Sequence, residues 1–194
     1  MINKRLQNYH LVLASASPRR QYLLKELGLD FEICTTHVKE ETPDGLSPEE
    51  KATYLADLKA ACFDTQRMNP KTVLIAADTI VVLGDEILGK PADHDAASAM
   101  LKKLSGKKHD VITAVCLKSK NKKKYFHVVS SVYFKELSAE EIEYYIRNFR
   151  PFDKAGGYGI QEWIGYIGIS KIEGSFFNIM GLPVKELYEE LLNF

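Results

Sequence analysis

The sequence predicts an α/β protein built on a mixed sheet with helices packed against it. Three observations carry that prediction. Segments of helical period and segments of strand character alternate along the 194 residues. The run Thr72–Leu83 is almost wholly apolar and rich in β-branched residues, the pattern of a central strand buried on both faces. Two later strands are separated only by the tip Lys120–Lys124, which is too short for a parallel crossover and so implies an antiparallel hairpin.

The first element is the stretch Leu11–Arg20, a short apolar strand running straight into a helix. Ser17 is placed as its N-cap, Pro18 suits the first turn, and Leu23, Leu24 and Leu27 give it a buried face, with Gly28 as its stop. Two hydroxyls (Ser15, Ser17) and two guanidinium groups (Arg19, Arg20) thereby gather at the positive end of a helix dipole, a combination suited to a phosphate chain. An ordinary capped helix with two solvated arginines has the same signature.

A strand is expected over Asp30–Thr36, then the polar loop His37–Pro43. Ser47-Pro-Glu-Glu50 is a capping box that starts a helix running to about Phe63, with Ala52, Leu55, Ala56 and Cys62 inward. After the central strand, Gly84-Asp85 turns the chain. Asp93–Leu104 reads as a helix closed by Gly106, with Ala97, Met100, Leu101 and Leu104 on its apolar side. The hairpin strands follow, His109–Lys118 and Lys124–Glu136, and the lysines at their tip read as solvated charge. Ser138-Ala-Glu-Glu141 is a second capping box, opening a helix with Ile142, Tyr145, Ile146 and Phe149 inward and ended by Arg150-Pro151. A glycine-rich segment, Asp153–Gln161, leads to a last strand around Tyr166–Ile172. Gly181-Leu-Pro183 then opens a C-terminal helix carrying Leu187, Leu191 and Leu192. Neither an internal repeat nor a flexible linker is visible.

Totals narrow the function classes. The chain is 45% hydrophobic and 27% charged with zero formal net charge, so as a whole it has no electrostatic reason to seek nucleic acid or membrane. Its three cysteines are far apart and form no metal spacing, which fits small packed residues in a reducing compartment. With no signal-peptide region and no apolar run long enough to span a bilayer, a cytoplasmic location is expected.

Asp78 is the most informative residue, because a carboxylate inside an apolar strand is costly to bury unless it is paired or binds a cation. A strand-end aspartate capping a turn is its plainer reading. Lys59 falls on the apolar side of its helix, where a lysine often snorkels. Lys90 sits in a rigid turn between Gly89 and Pro91, and Glu40 is one of two adjacent loop acids. Together these groups make a kit for metal-assisted chemistry on a polyphosphate, with a divalent cation on carboxylates and cationic side chains on phosphates. No Walker-type loop, dinucleotide fingerprint or zinc spacing is present, and His109 has no nearby nucleophile.

Six motifs then occur in a recognisable order: Ser15-Ala-Ser-Pro-Arg-Arg20, Ala77-Asp-Thr79, Leu88-Gly-Lys-Pro91, Ser105-Gly-Lys-Lys-His109 with Thr113, Lys154-Ala-Gly-Gly-Tyr-Gly-Ile-Gln161 and Gly181-Leu-Pro183. In these the chain resembles the Maf family from Leu11 to Pro183. That resemblance implies a single domain over 1–194, an elongated mixed sheet with flanking helices and two lobes around a central nucleotide cleft, similar to the inosine triphosphate pyrophosphatases. It also implies a nucleoside triphosphate pyrophosphatase, typically a homodimer needing magnesium or manganese, with a house-cleaning role. By position, Ser15, Arg19 and Arg20 match the family's phosphate-binding motif, Glu40 its loop acid, Lys59 and Lys90 its cleft lysines, and Asp78 its catalytic aspartate. Glu40 and Asp78 would then hold the metal. Arg19, Thr79 and Gln161 resemble the members acting on pyrimidine triphosphates, which points to dTTP and UTP. Because the family is also associated with arrest of septum formation, a nucleotide-binding regulator without essential catalysis is the alternative. Two positions depart from the usual pattern. Lys39 stands where an acid is usual, which either weakens metal binding or leaves it untouched. Glu162 replaces a glycine, and its bulk and charge beside Gln161 are expected to narrow or shift base preference.

Overall fold

The computed structural model describes residues 6–35, 38–61 and 63–194. Cys62, expected inward on its helix, and His37 of the polar loop lie outside the described residues. The apolar run forms β3 (Thr72–Leu83) over its full length, and β3 is buried from Thr72 through Asp78. The sheet is seven-stranded and mixed, in the order β2-β1-β3-β5-β6-β7 with β4 also paired to β3. Its other strands are β1 (His10–Leu13), β2 (Phe31–Ile33), β4 (Glu86–Leu88), β5 (Lys108–Lys118), β6 (Lys123–Phe134) and β7 (Ile169–Glu173). Two compact units divide the chain: Met1–Asp78 with Thr113–Val128 and Gly181–Phe194, and Thr79–Ile112 with Val129–Met180.

In the first unit, β1 pairs in parallel with β2 and with β3, so that Leu13 lies beside both Ile33 and Ile75. Parallel neighbours need covering helices, and α1 (Pro18–Glu26), α2 (Pro48–Ala61) and α7 (Val184–Leu192) supply them. Leu11, Leu13, Leu24, Leu74 and Ile75 are fully buried here, each worth roughly 1.5–3 kcal/mol over an exposed side chain. The first capping box forms as expected: Ser47 N–H donates to Glu50 Oε2 at 2.8 Å, and Glu50 N–H donates to Ser47 Oγ at 3.2 Å.

Three expectations change in this unit. Ser17 holds the N-cap position of α1, but its side chain makes no capping bond; Ser15 Oγ instead accepts from Ser17 N–H at 3.2 Å. Cys34 is only half-buried, whereas Cys116 is buried. The lysine tip is a set of partnered charges and not simply solvated. Lys123 pairs with Asp57 at 2.6 Å, Lys124 pairs with Glu190, and Lys122 Nζ donates to Phe194 O at 3.0 Å. Ser119 N–H donates to Lys122 O at 2.8 Å and closes the turn, and a connection this short returns β6 antiparallel to β5.

In the second unit, β4 folds back antiparallel on the end of β3, and β7 runs antiparallel to β6. It also holds α3 (His94–Leu104), α4 (Ala139–Phe149), α5 (Trp163–Gly168) and α6 (Phe176–Met180). The Ser138–Glu141 capping box is complete, and α4 buries Ile142, Tyr145 and Ile146. The expected last strand starts later than its β-branched residues suggested: Trp163–Gly168 is a helical turn and β7 begins at Ile169. The helix is set up by Gly165 N–H donating to Glu162 O at 2.8 Å, and Gly165 is obligatory because a Cβ there would lie 1.9 Å from Ile160 O. The short helix α6 was not foreseen, since five residues are too few for a helical period to be read.

His109, Phe134 and Tyr158 form a buried aromatic cluster with centroids 5.0–5.4 Å apart. His109 Nε2 lies 2.7 Å from Tyr158 Oη, and burial pushes its imidazole down to about 4 from the usual 6.5. The unfolded chain therefore binds a proton at this group across that range while the folded chain does not, so stability falls as pH drops from about 6.5 toward 4. In denaturant melts, the unfolding free energy of the wild type minus that of His109→Phe should grow by roughly 3 kcal/mol from pH 4 to 6.5. A constant difference would contradict this assignment.

Candidate active site

The first unit brings five of the sequence-identified residues into one constellation. β3 delivers Asp78 at the point where its buried run ends, and the residue is only 5% exposed. Lys59 lies on α2 one turn beyond Leu55 and Ala56, on the helix face those residues bury. Its ammonium is hydrogen-bonded to Asp78 Oδ1 and lies 2.8 Å from Glu40 Oε1. Lys59 is therefore a paired cation between two carboxylates, not a snorkelling side chain. The neighbouring Lys39 turns away and pairs with Glu41 at 2.5 Å. The cation in place of the usual acid thus has its own partner, and Glu40 is left to Lys59.

Arg20, with Ser15, completes the group. Its guanidinium is buried, donating from Nε to Gly181 O and from Nη1 to Ala77 O, both at 2.8 Å, and from Nη1 to Ser15 Oγ at 3.4 Å. This ties α1 to the strand residue that precedes Asp78 and to the Gly181-Leu-Pro183 turn, which explains three of the six motifs by one side chain. Arg19, beside it on α1, is half-buried.

Burial dominates the electrostatics. It raises the Asp78 carboxyl above its ordinary value, and the charges of Lys59 and Arg20 pull it back without cancelling the effect. Burial lowers the Arg20 guanidinium, opposed by Asp78. A carboxylate shifted upward beside two cations has the character of a proton acceptor.

Thr79, Lys90 and Gln161 belong to the second unit. Thr79 follows Asp78 on β3 and is half-buried, and Lys90 is exposed in the turn after β4. Gly156 N–H donates to Gly89 O at 3.0 Å, fastening the glycine-rich segment to the turn that carries Lys90. Gln161 is half-buried, and among the described residues nothing hydrogen-bonds its buried Oε1. Glu162 does not point freely beside it. Its carboxylate takes the Tyr145 hydroxyl through Oε2 and lies 3.1 Å from Lys154 Nζ through Oε1. The partners of Glu162 were not assigned from sequence, because Tyr145 lies on another helix. Lys154 opens the glycine-rich motif Lys154–Gln161, whose sequence alone assigns it no role.

Among the described residues no three His, Cys, Asp or Glu side chains converge as a metal site. Two carboxylates converging on one cation position nevertheless fit magnesium or manganese. Such ions are commonly held by one or two carboxylates, with substrate phosphates and water completing the shell.

A family model described as Maf-like protein matches residues 10–194. A protein of Phocaeicola vulgatus named dTTP/UTP pyrophosphatase is 53% identical over 187 residues, covering 96% of each chain. One of the same name from Flavobacterium psychrophilum is 49% identical over 193 residues, covering 100% of this chain and 98% of its own. Among solved structures, the Staphylococcus aureus Ham1 protein is similar over 64% of this chain and 71% of its own, with a TM-score of 0.41 and 15% identity. With the family model matched along almost its entire length, the chain belongs to the Maf family.

Proposed function

We propose that the protein is a nucleoside triphosphate pyrophosphatase that hydrolyses dTTP and UTP to the monophosphate and pyrophosphate. The observation that carries this reading is the convergence of Asp78, Lys59 and Glu40, a buried carboxylate and an exposed one sharing a single cation position. The shared name of the close relatives supports the same substrates.

In this reading Asp78 orients the attacking water and accepts its proton as the water oxygen bonds to phosphorus and the bridging P–O bond breaks. Pyrophosphate leaves with the electron pair. Lys59, Arg19 and Arg20, with Ser15 beside Arg20, balance the charge that grows on it, and Lys90 is assigned to the same task by its match to the family's cleft lysine. Glu40 and Asp78 are the residues that would hold a magnesium or manganese ion, which when bound supplies Lewis-acid stabilisation of phosphate oxygens. Gln161 reads the base: its unpartnered Oε1 is an acceptor for the imide N–H that uracil and thymine carry and cytosine lacks. Thr79 adds a hydroxyl to the same recognition. A cytoplasmic homodimer with a house-cleaning role belongs to this reading on the strength of the family resemblance. No helix among the described residues is long and apolar enough to cross a membrane.

Turnover of the eight common ribo- and deoxyribonucleoside triphosphates with magnesium or manganese tests the substrate assignment. The expected result is hydrolysis of dTTP and UTP at least roughly 10²-fold more efficiently than of CTP or the purines. A purine preferred over both would overturn the role given to Gln161.

A further inference from the structure

We propose that Tyr145 and Glu162 are positioning residues that fix the amide of Gln161 and thereby set discrimination between uracil-type and cytosine bases. This inference rests on the reading of Gln161 as the base-binding residue and adds a mechanism for its precision. The chain of contacts lies wholly within the second unit. Lys154, itself buried and also held by Asp153 at 2.7 Å, pairs with Glu162 Oε1 at 3.1 Å. Glu162 Oε2 takes the hydroxyl proton of fully buried Tyr145, and Tyr145 Oη in turn accepts Gly159 N–H at 2.9 Å. Gly159 is the floor on which the reading residue rests, since a Cβ there would lie 3.0 Å from Gln161 Nε2 and 2.7 Å from Glu162 Cδ.

Two physical consequences follow. The loop's backbone is fastened at Gly159, where the Gln161 amide leaves no room for a side chain, so the acceptor Oε1 is held in place before a base arrives, and ordering costs little on binding. The carboxylate that replaces the family's usual glycine is also engaged at both oxygens, by Lys154 at Oε1 and by the Tyr145 hydroxyl at Oε2. Glu162 therefore restrains the reading loop, and base preference follows from that restraint rather than from bulk beside the base.

The test compares the wild type, Tyr145→Phe, Glu162→Ala and Glu162→Gln by the ratio of kcat/KM for UTP to that for CTP, with melting temperature and circular dichroism confirming folded protein. Tyr145→Phe and Glu162→Ala should each cut the ratio about ten-fold, less than the roughly 10²-fold that displacing a positioned group by about 1 Å can cost. The loss should appear mainly as a raised KM for UTP. Glu162→Gln keeps an acceptor for the Tyr145 hydroxyl and should restore most of the ratio. An unchanged ratio in folded Tyr145→Phe, or a loss seen only in kcat for both nucleotides alike, would overturn the proposal. If Glu162→Ala does not fold, Tyr145→Phe, which removes one oxygen, decides alone. Gln161→Ala separates the two levels. If it lowers the ratio while Tyr145→Phe does not, the positioning proposal falls and base reading stands. If it leaves the ratio unchanged, both fall.

Discussion

Asp78→Asn is expected to lower kcat/KM for dTTP by about 10³-fold or more while leaving the melting temperature unchanged or higher. The two halves of that result come from one fact, the burial of a carboxylate on a strand that is otherwise apolar. The amide keeps the shape but cannot accept the water's proton, so the chemical step loses its base. Burial raises the Asp78 carboxyl, so the ionised group costs folding energy above that value, and the neutral amide carries no such cost. Lys59 retains Glu40 as a partner in the variant. Activity lost together with a large drop in melting temperature would show that Asp78 is a structural ion pair. Activity retained would remove it from the mechanism.

Arg20→Met should act in the opposite way, through the fold. Its guanidinium holds the buried carbonyls of Ala77 and Gly181, which lie 57 and 161 residues from it in sequence, and removing it leaves both without that donor. Breaking such a buried charged contact costs about 3 kcal/mol or more, which for a chain of this size lowers the melting temperature by about 10 °C. Activity should fall as well, because Ala77 is the residue that sets Asp78. Thermal denaturation followed by circular dichroism checks the first effect. A melting temperature within about 2 °C of wild type, the range of an ordinary surface substitution, would mean that the tie from α1 to β3 is dispensable.

Local signals explain why so much of this fold was legible. Both capping boxes, the Thr72–Leu83 strand and the Lys118–Lys123 turn are written in residues within a few positions of each other. What failed was also local. Ser17 has the right type and place for a cap, but Ser15 takes the backbone N–H, a choice set by how α1 meets β1 and not by either serine alone. The turn of helix at Trp163–Gly168 was hidden because its strand-like residues are overruled by a glycine packed on Ile160. For the site, the sequence identified the members but not their relations. By position alone Lys59 reads as a snorkelling lysine, and only the family resemblance assigns it to the site; its pairing with Asp78 and Glu40 depends on where its helix packs. Glu162 read as an unbalanced charge because its partners, Tyr145 on α4 and Lys154 across a glycine-rich bend, come together only through tertiary packing.

The measurement that bears most directly on the central claim is phosphorus NMR of the products formed from dTTP and from UTP with magnesium or manganese present. A monophosphate and pyrophosphate in equal amounts are predicted, from cleavage between the α and β phosphates. Orthophosphate with a diphosphate would place the attack at the wrong bond and contradict the account, and no turnover of either nucleotide would leave the chain a nucleotide-binding protein without the proposed chemistry.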